Sequence, residues 1–311
     1  MYKGHIVAVA VPAYNEERLI ASVIQTMPEF VDHIIVVNDC STDGTFEAIQ
    51  QAADARTIPL NSCTNQGVGG ATVIAYQKAL ECGADIVVKM DGDGQMRPEF
   101  LDKLLDPVIE QDYNYSKGNR FLVPEFLPEM PKARLLGNVI LTFMTKLASG
   151  YWNIFDPQNG YTAVRADALR TLNLPTLHKR FFFENDMLCQ LNLHNARVKD
   201  VAMPAKYGAE VSHLRISQIM VTFPLLLFRR FLSRVAFKYI VRDFSPIALF
   251  LLLGTLMFSW GFFFGAYAWI RSILTDEFTS VGTVMLSVLP LILGFQLLLQ
   301  AIVLDIGETP K

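Results

Sequence analysis

Two stretches near the end of this 311-residue chain constrain its architecture most: Phe244 to Ile270 and Phe278 to Leu304 are each 27 residues long and carry no charged side chain. The hydrocarbon core of a bilayer takes about 20 apolar residues of helix, so each run is long enough to cross it. Backbone polar groups in lipid must be satisfied inside the segment, so a pair of helices is the expected form. Trp260, Tyr267 and Trp269 add the aromatic residues favoured at membrane interfaces. Buried core helices are the competing reading, and uncharged runs of this length are rare in soluble folds.

The segment before these runs has a different character. From Val211 to Arg242 it holds Arg215, Arg229, Arg230, Arg234, Lys238 and Arg242 and no acid. Arg230, Arg234, Lys238 and Arg242 recur every four residues, so a helix would carry them as one slowly drifting stripe. With Leu225 to Phe228, Phe231, Leu232, Val235 and Phe237 alongside, this is the makeup of an interfacial helix, cations toward headgroup phosphates and apolar groups toward the acyl boundary. A solvated basic face is the plainer alternative. The excess of cations places this segment, the chain ahead of it and the tail after Leu304 on the cytoplasmic side, with Arg271, Asp276 and Glu277 outside.

The remainder reads as a mixed soluble domain. A formal net charge of −3 gives no reason to expect a nucleic-acid partner. The apolar stretch within Met1 to Val11 is too short for a signal peptide. Cys40, Cys63, Cys82 and Cys189 form no metal-type pairing, which suggests buried or inert thiols in a reducing compartment.

Ile6 to Val11 is expected to be a strand, Pro12 to Asn15 a turn and Glu16 to Met27 a helix. A strand at Ile34 to Val37, a polar turn at Asn38 to Gly44 and a helix at Thr45 to Ala53 follow. The Asn65 to Gly70 loop then leads into a helix at Ala71 to Cys82 and a strand at Asp85 to Met90. Alternating strands and helices predict a parallel α/β sheet, whose ligands bind at the carboxyl ends of the strands. Asn15, Glu16, Asp39, Asp91 and Asp93 all fall at such ends. In Asp91-Gly92-Asp93-Gly94-Gln95, side chains two apart on an extended chain point the same way. Asp91, Asp93 and Gln95 could therefore offer oxygens to one hard cation, Mg²⁺ or Mn²⁺, which commonly keeps phosphate oxygens among its ligands. An Asp-Gly hairpin turn is the alternative.

Val11-Pro12-Ala13-Tyr14-Asn15-Glu16-Glu17, Val37 to Thr45, the Asn65-Gln66-Gly67 loop and Asp91-Gly92-Asp93 together resemble family 2 glycosyltransferases of the GT-A fold. The membrane pair resembles the branch acting on polyprenyl phosphates, which includes dolichol-phosphate mannose synthases and bacterial glucosyl-lipid synthases. The implied fold is a Rossmann-like α/β nucleotide-diphospho-sugar transferase domain followed by interfacial helices and two transmembrane helices. The expected boundaries are 1–214 for the catalytic domain, 215–243 for the basic amphipathic helices, 244–304 for the transmembrane hairpin and 305–311 for the tail.

By that resemblance Pro12, Tyr14, Asn15 and Glu16 line the nucleotide pocket, Asp39 holds the base or ribose, and Gly67 lets the backbone approach the nucleotide. Asp91, Asp93 and Gln95 hold the metal on the diphosphate. Asp156 to Tyr161, with Asp156 and Gln158, resembles an acceptor-side loop. Arg180 to Asp186 resembles the segment with a Glu/Asp pair, except that Asn185 separates Glu184 from Asp186, leaving open which carboxylate faces the site. Helix capping explains these acids equally simply. Lys117 and Arg120 are candidates to meet a phosphate.

The implied reaction is inverting, metal-assisted transfer of a sugar from a nucleotide-diphosphate donor to a membrane polyprenyl phosphate. UDP-hexose is favoured by Ser41-Thr42-Asp43-Gly44, where mannose synthases of this group often carry a proline; GDP-mannose stays open. A sugar-hydroxyl acceptor would call for a carboxylate base at Glu184 or Asp186. The competing classes are a catalytically silent nucleotide-sugar or lipid sensor, a processive polysaccharide synthase, whose Gln-x-x-Arg-Trp motif is missing, and a dinucleotide oxidoreductase, for which Gly67-Val68-Gly69-Gly70 has the wrong spacing. Homo-oligomers through the membrane helices are compatible with all of these.

Overall fold

The computed structural model describes residues 1–122, 132–203 and 216–311. The expected boundary at 214 and Arg215 lie outside the described residues. Two compact units emerge, Met1–Arg230 with Pro310–Lys311, and Phe231–Thr309.

The first unit is built on a sheet of β1 (Val7–Ala13), β2 (His33–Asn38), β3 (Thr57–Asn61), β4 (Ile86–Lys89), β5 (Tyr115–Asn119), β6 (Thr162–Arg165) and β7 (Val198–Ala202), in the order β3-β2-β1-β4-β6-β5-β7. Every β1 residue is buried, and the strand's alternation sorts them by size. Ala8 and Ala10 face the side covered by α3 (Gly67–Glu81) and α7 (Phe183–Leu193). Val7, Val9 and Val11 face α1 (Ile20–Gln25), α2 (Thr45–Ala52) and α4 (Leu101–Glu110). The result is three layers with apolar strands at the centre, as parallel α/β sheets require.

The three strands read from the sequence pair in parallel, and the sheet as a whole is mixed. β6 runs antiparallel to both β4 and β5, pairing Thr162 with Lys89 and with Lys117. The start of β6 therefore lies beside the carboxyl end of β4. β1 also continues through Pro12 and Ala13, because its pairing with β4 ends at Ala10 while its register with β2 runs on to Ala13 and Asn38. The helix expected from Glu16 begins only at Ile20. Asn15 has a φ of 58°, and the Asn15 and Glu16 amides donate to Ser41 Oγ and Thr45 Oγ1, so this backbone is committed to the β2–α2 turn. Conversely α3 starts at Gly67, and the glycine loop forms its first turn.

Beyond β5 the described chain includes α5 (Lys132–Ser149) and α6 (Ala166–Thr171), then α8 (Ile216–Arg234) after β7. The basic stripe is not the outward row expected. Leu225, Phe228, Arg229 and Leu232 are exposed on α8, whereas Arg230 forms an ion pair with Asp186 and Arg234 is 1% exposed.

In the second unit α8 passes into a π-helix over Val235–Val241, followed by α9 (Pro246–Thr275) and α10 (Val281–Gly307). Both long helices are apolar enough to cross a membrane. Gly254, Gly261 and Gly294 let them touch: a Cβ at Gly261 would lie 2.6 Å from Leu291 N and Ser287 O. Gly261 and Gly265 stand four apart, a close-packing signal that reading the run as a plain apolar span overlooks. Arg234 Nη1 and Nη2 lie 2.6 and 3.1 Å from the two Asp305 oxygens, and Tyr239 Oη bonds both residues, joining the π-helix to the end of α10.

Candidate active site

The polar residues collect at the carboxyl ends of β1, β2, β4 and β5, with the start of β6 among them. At the end of β4, Lys89 is 1% exposed, and its Nζ lies 2.6 Å from Asp91 Oδ1 and 3.1 Å from Glu184 Oε1. A buried ammonium persists only with such partners, and the flanking carboxylates hold Lys89 above its ordinary pKa although burial opposes this. Burial pushes the Glu184 carboxyl up, Lys89 pulls it back, and the nearby Asp91 charge raises it again; the net direction is upward. Beneath them the enclosed Tyr76 phenol is pushed up to about 12 by burial and stays neutral.

Gly160 closes the cluster. A Cβ there would lie 2.6 Å from Lys89 Nζ and 3.1 Å from Asp91 Oδ2, so the 156–161 loop can pass only without a side chain at this position. At the loop's other end Asp156, with a φ of 51°, accepts from Arg120 Nε and Nη2, both at 2.7 Å. Burial raises the Asp156 pKa and the Arg120 fork outweighs it, leaving the carboxyl below its ordinary value. Gln158 lines a narrow crevice with Asn138, Leu141, Thr142, Asp156 and Pro157.

On the β1–β2 side, Asn15 Oδ1 accepts from the Thr42 amide at 2.8 Å, and Tyr14 is exposed beside it. Asp39 is buried and its two oxygens accept from the amides of Gln66, at 2.6 Å, and Gly67, at 2.7 Å. It thus caps α3 and fixes the 65–67 loop. Gly67 has a φ of +77°, and a Cβ on it would meet the Lys179 carbonyl at 2.5 Å. A protein neighbour therefore already occupies the space that the resemblance assigns to a nucleotide's close approach.

Two further expectations change. Lys117 is buried and donates to the carbonyls of Phe155 and Gly118 and to Asp200, so it braces β5 and is not presented to a phosphate. Asp186 does not join Asp91: Arg230 Nε lies 2.6 Å from its Oδ1, and the His178 amide donates to its Oδ2 at 2.8 Å. Of the two carboxylates on α7, Glu184 is the one the structure brings to Asp91. Lys89 was not singled out from the sequence, because a lysine closing a short strand reads as its solvated boundary. The thiols are not uniformly buried either: Cys189 is, Cys63 is exposed, and Cys40 and Cys82 lie between.

The donor set fits a hard divalent cation in part. Asp91 directs Oδ1 to Lys89, and no hydrogen bond among the described residues engages Oδ2. Asp93 Oδ1 accepts from the Gln95 amide at 2.9 Å, which folds Asp93 and Gln95 into one turn. Among the described residues no three His, Cys, Asp or Glu side chains converge to hold a metal. The remaining ligands would have to be oxygens of a bound phosphate or water, which suits Mg²⁺. One ammonium against the carboxylates of Asp91 and Glu184 leaves this cluster net negative when both are ionised.

Known proteins resemble this chain in sequence and fold. Residues 8–172 match the family described as Glycosyl transferase family 2. The chain is 30% identical over 235 residues to the UDP-N-acetylglucosamine–dolichyl-phosphate N-acetylglucosaminyltransferase of Methanococcus voltae, covering 71% of this chain and 93% of that one. It is 30% identical over 196 residues to an undecaprenyl-phosphate mannosyltransferase of Micrococcus luteus, covering 61% and 79%. The crystal structure of glucosyl-3-phosphoglycerate synthase from Mycobacterium tuberculosis with Mn²⁺, UDP-glucose and phosphoglyceric acid superposes with a TM-score of 0.54 at 20% identity, over 74% of this chain and 80% of that one, a likeness of fold. With more than half of its length matched and a relative covered almost end to end, the chain belongs to glycosyl transferase family 2 and is a glycosyltransferase with a GT-A-like fold.

Proposed function

We propose that this enzyme transfers a hexose from a nucleotide-diphosphate donor, a UDP-sugar in preference to GDP-mannose, to a membrane polyprenyl phosphate, with inversion at the anomeric carbon. The observation that carries the choice of acceptor is the state of the two carboxylates on α7. Glu184 shares Lys89 with Asp91, and Asp186 is forked by Arg230, so each candidate base is already engaged by a cation. An acceptor hydroxyl needs a base to remove its proton. A phosphate oxygen arrives ionised and needs none, which is the chemistry this arrangement suits. The names of the Methanococcus and Micrococcus relatives support the same acceptor class. The two apolar helices support a membrane location, and the cations before them favour a catalytic unit and tail on the cytoplasmic face.

Asp91 and Asp93 are the residues that would hold a divalent cation, with Gln95 in the same turn. When bound, the cation would supply Lewis-acid stabilisation of the charge on the departing diphosphate. Lys89 orients Asp91 and offsets part of its charge. Arg120 keeps Asp156 ionised and holds the 156–161 loop against the pocket. Tyr14, Asn15 and Asp39 line and brace the donor side.

The test uses full-length protein in detergent, undecaprenyl phosphate and radiolabelled UDP-glucose, UDP-N-acetylglucosamine and GDP-mannose in turn. A labelled lipid from a UDP-sugar, formed with Mn²⁺ or Mg²⁺ and lost with EDTA, is expected. Donor binding without turnover would instead mark a sensor. Labelling only of a sugar hydroxyl acceptor would overturn the phosphate reading.

A further inference from the structure

One ion pair with a fully buried carboxylate lies outside the Lys89 cluster. Asp186 is 0% exposed, and Arg230 of α8 grips it with Nε at 2.6 Å from Oδ1 and Nη2 at 2.7 Å from Oδ2. The same carboxylate accepts the His178 amide at 2.8 Å. The next residue, Lys179, turns its carbonyl to the Gly70 amide at 3.0 Å and its Nζ to Gln66 Oε1, also at 3.0 Å. A Cβ on Gly67 would strike that carbonyl, and the Gly67 and Gln66 amides are held in turn by Asp39. An unbroken series of polar contacts therefore runs from α8 through Asp186 and residues 178–179 to the first turn of α3.

From this we infer that Arg230 is a positioning residue for the donor pocket. By forking Asp186 it sets the 178–180 segment against the glycine-rich start of α3, and so fixes the backbone that Asp39 presents beside the nucleotide. Arginine suits the role because its planar fork meets a carboxylate at two points, which lysine cannot do. The inference rests on the proposed function only in calling this edge the donor side. Arg230 is thereby removed from the cations read as headgroup ligands.

Hydrogen–deuterium exchange on the full-length protein in detergent tests the contact series without any ligand. Arg230→Lys and Asp186→Asn are each expected to speed amide exchange at 177–183 and also at 65–70. A change confined to α8 would overturn the inference. UDP binding with Mn²⁺, followed by calorimetry, supplies the functional readout. Each variant is expected to weaken UDP by about tenfold, the scale of coupling carried by contiguous contacts, and the double variant by no more than either alone. Wild-type UDP affinity in both variants, with loss only in the KM for undecaprenyl phosphate, would show Arg230 to be an acceptor ligand and refute the positioning role. Wild-type protein that binds neither UDP nor GDP would refute the proposed function by itself, while the exchange experiment would still decide the role of Arg230.

Discussion

Lys89 organises the site at the level of single residues. It is enclosed, it holds Asp91 and Glu184 together, and both partners lose their compensating charge without it. Removing one member of a buried ion pair costs about 3–5 kcal/mol. Lys89→Ala is therefore expected to lower the unfolding free energy by roughly that amount, measured by denaturant titration, and to abolish transfer. Lys89→Met, which keeps the volume but not the charge, should fold better than Lys89→Ala and remain inactive. The carboxylates were legible because acids at strand ends stand out against apolar runs. Their partners were not: Arg120 and Arg230 meet Asp156 and Asp186 only in three dimensions, and Lys89, although two residues from Asp91, was passed over as a strand boundary. The choice between Glu184 and Asp186 depends on helix phase: two residues of helix turn the chain by about 200°, so they face opposite ways.

Among the elements, β1, β2 and β4 could be read because their buried residues form nearly unbroken apolar runs. β5 could not: Tyr115-Ser116-Lys117-Gly118-Asn119 looks like a loop yet is wholly buried. Its polar groups are satisfied inside, Ser116 by the Leu104 carbonyl and Asn119 by Asp200. The reversal of β6 left no mark in the pattern either, although it carries the 156–161 loop to Asp91. Gly160→Ala tests that placement. The added methyl would meet an ammonium held at two points, so overpacking of about 1–3 kcal/mol is expected, shifting Lys89 and Asp91. Transfer should fall at least tenfold and the Mn²⁺ concentration for half-activity should rise, while circular dichroism keeps the wild-type form. Unchanged metal dependence would separate Gly160 from the Asp91 cluster.

Across the whole molecule, the two apolar helices were evident from composition. The Arg234–Asp305 pair, 71 residues apart in sequence, was not, because each residue reads as an ordinary charge near a membrane boundary. The shift from α- to π-helix at Val235 also changes which residues share a face, so a four-residue repeat continued through it does not stay in line. The proposed cytoplasmic orientation can be checked with the native exposed thiol. A membrane-impermeant maleimide should label Cys63 in inverted vesicles and leave it unlabelled in sealed right-side-out vesicles. The opposite pattern would reverse the orientation.

Since β6 returns against β5, the chain leaves the sheet at Asn119 and re-enters at Thr162 along the same edge. Among the described residues between them, Thr145 is held by Asn185 of α7 while Asn153 and Phe155 bond Val198 and Asp200 of β7, so the return path is tied into the sheet it left. Substitutions along that path are therefore tolerated only where these ties persist and glycine stays at position 160.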